Sequence, residues 1–114
     1  MNVLGIGAHF DDIELGCSGT LMEHIQQGDK VVMVVICNSG YNGVDGSTVR
    51  DNDTAYKEGE EAARIIGAEL ICLNYDTFCV PFEESLTCEI RRYIEELNID
   101  VIYSPWLHDL HRDH

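Results

Sequence analysis

The sequence is poor in positive charge: seven Lys and Arg stand against 21 Asp and Glu, for a formal net charge of -14. Such a chain repels phosphate backbones and anionic lipid surfaces, which argues against nucleic acid as a partner. Long apolar runs are missing too. None approaches the roughly 20 residues needed to cross a bilayer, and no basic segment followed by an apolar stretch opens the chain at "MNVLGIG". A chain without membrane segment or signal peptide, working in the cytoplasm, is the expectation. The five cysteines (Cys17, Cys37, Cys72, Cys79 and Cys88) include no CxxC pair, and their odd number speaks against a disulfide framework or a thiolate zinc knuckle. Reduced thiols, some of them buried, are expected instead. Internal repeats, low-complexity tracts and linkers are also lacking, so residues 1–114 read as a single domain. With 114 residues it lies at the low end for an open α/β enzyme domain, and it stops on His114 inside its most polar cluster. The N-terminal part of a longer domain is therefore expected, and oligomeric state is not legible.

What the sequence does contain is a set of apolar runs rich in β-branched residues. "NVLGIGA" and "KVVMVVICN" are nearly continuous, as strands covered on both faces of a parallel sheet should be, and "ELICLNY" and "DVIYSPW" repeat the pattern more weakly. Helical segments alternate with them. In "FEESLTCEIRRYIEELN" the residues Phe82, Leu86, Ile90, Ile94 and Leu97 form one apolar stripe, with Pro81 suited to the first turn. A second helix is expected from an N-cap at Thr54, with Ala55, Ala62, Ile65 and Ile66 inward and Gly67 as its stop. The first, near "GTLMEHIQQG", should end on Gly28. This order predicts an α/β fold, a Rossmann-like open parallel sheet with helices on both faces and right-handed crossovers. "NSGYNGVDGST" is too polar to bury an element of its own and reads as a long loop.

Two clusters of chemically active residues stand out. His9, Asp11 and Asp12 follow the first strand, and "HDLHRDH" follows the fourth, where three of the chain's five histidines fall within seven residues. In an open parallel sheet, ligands bind beyond the carboxyl ends of the strands where the strand order reverses. A strand order of 3-2-1-4 would bring the two clusters together at that point. Simpler roles exist for each: Asp11 and Asp12 could cap a helix, and the terminal cluster could be a solvated tail. "GIGAHF" also begins like a dinucleotide-binding turn, but Phe10 stands where the third glycine is needed, which argues against a nucleotide. His24 sits mid-helix and reads as structural. Two imidazoles and a carboxylate can bind Zn²⁺, or another divalent transition metal, and leave a position open for water. An unligated carboxylate can then take a proton, and a further imidazole can stabilise an oxyanion or protonate a leaving group.

"AHFDDIELGCSGT" resembles the AHPDD(E)xxxGxGGT signature of the LmbE-like, or PIG-L, family of zinc-dependent de-N-acetylases. "HRDH" is similar to that family's HPDH motif, and "EGEEAARIIGAE" to its ExxxAAxxLG helix. The resemblance covers essentially the whole chain. It implies that His9, Asp12 and His114 ligate zinc, that Asp11 is the general base, and that His111 stabilises the tetrahedral intermediate or protonates the amine. Asp113 would orient and charge-tune His111, while His108 and Asp109 receive no role. The implied reaction removes an acetyl group from an amino-sugar conjugate of the N-acetylglucosamine type, with residues 41–47 on the substrate rim. The alternative is a non-catalytic metal- or carbohydrate-binding domain. Three departures from the pattern bear on this. Phe10 replaces proline and should loosen the turn, although the site geometry should survive. The family's arginine three residues before the helix Glu is replaced by Ala55, leaving Arg50 as a candidate substrate contact. His114, as the last residue, should fray.

Overall fold

The computed structural model describes every residue from Met1 to His114. Its strands and helices are β1 (Asn2–Gly7), α1 (Asp12–Gly16), α2 (Ser18–Gln26), β2 (Lys30–Cys37), β3 (Tyr41–Asn42), β4 (Thr48–Arg50), α3 (Asn52–Ile66), β5 (Glu69–Tyr75), α4 (Glu84–Glu96) and β6 (Val101–Tyr103). Four strands pair in parallel in the order β5-β2-β1-β6, which is the predicted 3-2-1-4 arrangement. The reversal of strand order falls between β1 and β6.

Strand alternation divides the core in two. Val3, Val31, Met33 and Val35 face Leu21 of α2 and Ala55, Ala63 and Ile66 of α3. The intervening Leu4, Val32 and Val34 face the other way, toward Ile94 of α4 and Leu97. β2 is buried from Val31 to Cys37 because it lies inside the sheet with helices over both faces, which explains its unbroken apolar run.

Several local expectations need correction. The helix expected near "GTLMEHIQQG" is α2, and an additional short helix, α1, precedes it across Cys17. The third starts earlier than expected: Asp51 is the N-cap and accepts from the Thr54 amide at 2.7 Å, so Thr54 lies inside the first turn. Its buried stripe is Ala55, Gly59, Ala63 and Ile66, while Ile65 is exposed and Ala62 only half-buried. The cause is Gly59, where a Cβ would sit 2.2 Å from the Phe10 ring. The helix closes onto Phe10 over that bare position, and this rotates the stripe. Gly67 ends the helix at φ 90, as expected. α4 begins at Glu84, so Pro81 precedes it and Phe82 is fully exposed. The polar loop after β2 also contains structure, an antiparallel β3–β4 hairpin. Hydrogen bonds hold it in place of apolar burial: the Gly43 amide donates to the Ser47 carbonyl at 2.7 Å, and Asp45 Oδ1 accepts from the Ser47 amide at 3.0 Å.

Candidate metal centre

β1 ends in a tight approach to α1, since a Cβ on Gly7 would lie 3.0 Å from Ile13 Cγ1 and 3.1 Å from Asp12 Cβ. The turn that follows carries His9 to Asp12, and Phe10 pins it. Its ring is 1 % exposed, its amide donates to Ser39 Oγ at 2.9 Å, and its carbonyl accepts from Arg50 at 3.3 Å. The substitution for proline therefore clamps the turn to the end of β2 rather than loosening it. Asp11 adopts φ 111, a conformation that non-glycine residues rarely take and that tends to mark functional positions.

Both sequence clusters meet at the switch point between β1 and β6. His9 Nδ1, Asp12 Oδ2 and His114 Nε2 form a triangle with edges of 3.7, 3.1 and 3.4 Å. The outer nitrogen of each imidazole is held by a carboxylate. His9 Nε2–H donates to Asp113 Oδ2 at 2.7 Å, and His114 Nδ1–H donates to Asp109 Oδ2 at 3.0 Å. With those hydrogens outward, two nitrogen lone pairs and a carboxylate oxygen converge with no hydrogen among them. Such a triangle is repulsive until a proton or a cation enters it. The protonation of His9 reflects this: Asp12 first, then the Cys37 sulfur, and then Asp113 push its imidazole from 6.5 up to about 10 against the opposing effect of burial. Burial acts to raise the Asp12 carboxyl, but the protonated His9 ring, the His9 amide donating at 2.8 Å and the charge of His114 outweigh it and leave it lowered.

This donor set fits a metal ion. In a tetrahedral zinc site with bonds of about 2.0–2.1 Å, ligand atoms stand about 3.3 Å apart, and the three edges bracket that spacing. Carboxylates behind ligating imidazoles are the usual outer partners of such sites. Two other groups of donors lie close: His9, His111 and His114, and His9, Cys37 and Asp113.

The remaining predicted residues surround the triangle. Asp113 has a fully covered side chain, and its Oδ2 also accepts from the Phe78 amide at 2.9 Å, while Oδ1 is buried without a partner. Its carboxylate lies within ion-pair reach of His111 Nδ1, at 3.9 Å, and pairs more closely with His9. Asp113 also meets His111 through its backbone, its amide donating to His111 Nδ1 at 3.1 Å. That bond leaves Nε2 as the nitrogen carrying the hydrogen in the neutral ring. The terminal His114 is tied down, with a side chain 15 % exposed and its amide bonded to the His111 carbonyl at 3.1 Å. Asp11, Arg50 and His111 line a cavity of about 220 Å³ on one side of the triangle. Asp12, Asp109 and His114 border a second, of about 530 Å³, on the other. Burial and the neighbouring Asp12 charge raise the Asp11 carboxyl, with Arg50 and His9 pulling it back. Arg50 is engaged by Glu58 at 2.9 Å, but its Nε is buried without a partner.

Asp109, Phe78 and Cys37 were not read as site residues from the sequence. Only Asp109 had a signal, its place within the polar cluster. His108 packs edge-on against Trp106, away from the triangle's contacts. All five cysteines are free, with Cys37 buried and Cys79 and Cys88 exposed.

Fold and donor set together define a Rossmann-like α/β domain with a metal-competent His/Asp cluster at its switch point. The chain belongs to the PIG-L family (GlcNAc-PI de-N-acetylase), which it matches over residues 4–114. It is 31 % identical to the uncharacterized deacetylase YaiS of Escherichia coli K12 over 98 % of this chain and 61 % of that protein. Among solved structures, the N,N'-diacetylchitobiose deacetylase of Pyrococcus horikoshii superposes with a TM-score of 0.86 at 25 % identity, covering 99 % of this chain and 45 % of the other. GalB, a 4-carboxy-2-hydroxymuconate hydratase from Pseudomonas putida, gives the same TM-score at 18 % identity, over 99 % of this chain and 50 % of that one, and shares the fold alone. The chain thus spans about half to three-fifths of the length of these relatives. No helix is long and apolar enough to cross a membrane.

Proposed function

We propose that this chain carries the metal centre of a zinc-dependent de-N-acetylase that acts on an amino-sugar conjugate of the N-acetylglucosamine type. The observation that carries this reading is the convergence of His9 Nδ1, Asp12 Oδ2 and His114 Nε2, at 3.1 to 3.7 Å from one another, with Asp113 and Asp109 behind the two imidazoles. Family membership supports the amide as the bond attacked, and the relatives named as deacetylases support acetyl as the group removed.

His9, Asp12 and His114 would hold the zinc, which when bound supplies Lewis acidity toward an amide carbonyl and toward water. Asp11, beside the triangle but outside it, takes a proton from the attacking water. Its raised carboxyl suits a base that must later give that proton up. As water oxygen bonds to the carbonyl carbon, negative charge grows on the carbonyl oxygen. His111, with its hydrogen on Nε2, donates to that charge or to the departing nitrogen. The C–N bond then breaks, leaving acetate and a free amine. Asp113 and Asp109 keep the two ligand imidazoles in the binding tautomer. Arg50 and the β3–β4 hairpin around Tyr41 form the substrate rim, with Tyr41 and Arg50 both lining the cavity that holds Asp11. The free thiols support a cytoplasmic setting.

The test is Asp11→Asn in the full-length protein. Zinc content should stay at the parental level while acetate release falls by at least about 10²-fold, the lower end of what a positioned base contributes. Undiminished acetate release would overturn the general-base assignment, and an absence of acetate release from the zinc-loaded parent would overturn the deacetylase reading.

A further inference from the structure

Phe78 lies in the loop between β5 and α4 and adopts φ 64, a left-handed conformation that strongly favours glycine over a bulky aromatic. Such an outlier persists only where its surroundings over-determine it, and it often marks function. Two contacts define its surroundings. The Phe78 amide donates to Asp113 Oδ2 at 2.9 Å, and its ring stacks on the His111 imidazole with centroids 5.4 Å apart and planes 15° from parallel. The ring remains half exposed on the cavity shared with Asp11 and Arg50.

His111 needs a second restraint. Its side chain is 34 % exposed, and its one hydrogen bond, from the Asp113 amide to Nδ1, is a pivot about which the ring can turn. Three rings limit that rotation, His9 edge-on at 4.7 Å, His114 stacked at 5.0 Å and Phe78. His9 and His114 belong to the metal triangle, so Phe78 is the restraint contributed from outside it. The loop's backbone is fastened independently of that ring: Asp76 accepts from Asn38 Nδ2 at 2.9 Å, and the Cys79 amide donates to the Asp76 carbonyl at 3.0 Å.

We propose that Phe78 is a positioning residue, whose ring, stacked on His111, holds that imidazole with its Nε2–H presented to the reacting amide. The inference rests on the role of His111 given above. Nothing in the local "DTFCVP" sequence signals it, because neither the positive φ nor the stacking partner is visible there.

The backbone conformation makes the test clean. Phe78→Gly removes the ring while placing the preferred residue at φ 64 and keeping the amide that serves Asp113. In the zinc-loaded full-length protein, Phe78→Gly should retain parental zinc content and melting temperature and keep KM within about twofold. Its kcat should fall about ten- to a hundredfold, a share of the roughly 10²–10⁴-fold that a positioned acid supplies. Phe78→Tyr should restore kcat. Unchanged kcat, or a rise in KM alone, would overturn the proposal, the latter by making the ring a substrate platform. A readout independent of activity separates this from the deacetylase reading. The ring protons of His111 should carry the same ring-current shift in the parent and in Phe78→Tyr, and in Phe78→Gly that shift should shrink to the part that His9 and His114 contribute. Absence of that shift in the parent would overturn the stacking even if the enzyme reaction proved different.

Discussion

Two histidines at opposite ends of the sheet have nearly the same first neighbour and different fates. At the amino-terminal end, His24 Nδ1 meets Asp29 at 2.7 Å and Nε2 meets the Tyr103 hydroxyl at 3.0 Å, while Asp29 also receives the Met1 ammonium at 2.6 Å. Every polar atom there has a complementary partner. At the carboxyl end, His9 Nε2 meets Asp113 at 2.7 Å, but its Nδ1 faces another carboxylate and another imidazole nitrogen. A carboxylate behind an imidazole is therefore not itself a mark of a metal site. What marks a candidate for one is the inward nitrogen, which at His24 ends on a hydroxyl able to share a hydrogen and at His9 ends among acceptors.

The contrast can be sharpened by neutralising the carboxylate on each side. Asp113→Asn removes the charge that holds His9 in its binding tautomer, and metal affinity should fall about 10- to 100-fold, as is usual for outer partners of ligating imidazoles. Asp29→Asn should leave affinity unchanged in the same competition titration with a chelating dye. Equal losses at both ends would erase the distinction.

A smaller effect separates the two ends by pH. The Met1 ammonium, followed by His24, holds Asp29 below its ordinary 3.8, so the stability from this contact is whole above 3.8 and lost as pH falls through the lower folded value. The Met1 amine is raised above 8.0 by the same contact, so its contribution is whole below 8.0 and lost as pH climbs through the higher folded value. Melting temperature against pH should show both limbs, and Asp29→Asn should flatten them. In metal-free protein His9 adds its own alkaline limb, whole below 6.5 and lost as pH rises through about 10. Loading the metal should abolish that limb while leaving the Asp29 limbs in place, because the ion replaces the proton at the triangle.

The framework was legible from the sequence because strands buried on both faces must be apolar throughout, and β1 and β2 are. Strand order and the meeting of the two clusters followed from general rules of parallel sheets. The register of α3 was not legible, because the bare face at Gly59 answers to Phe10, which lies far away in sequence. The hairpin was missed because its stability comes from a hydrogen-bonded turn, which composition does not reveal. At the candidate site, the motif picked out residues that the fold brings together, but not their pairings. Within "HDLHRDH" nothing in the spacing tells which carboxylate serves which imidazole, and Asp113 turned out to serve His9 while Asp109 serves His114.

The most direct test of the central claim is zinc per chain, measured by elemental analysis on purified full-length protein beside its Asp12→Ala and His24→Gln variants. The account predicts close to one zinc in the parent and in His24→Gln, and almost none in Asp12→Ala. Zinc retained by Asp12→Ala, or lost from His24→Gln, would contradict it.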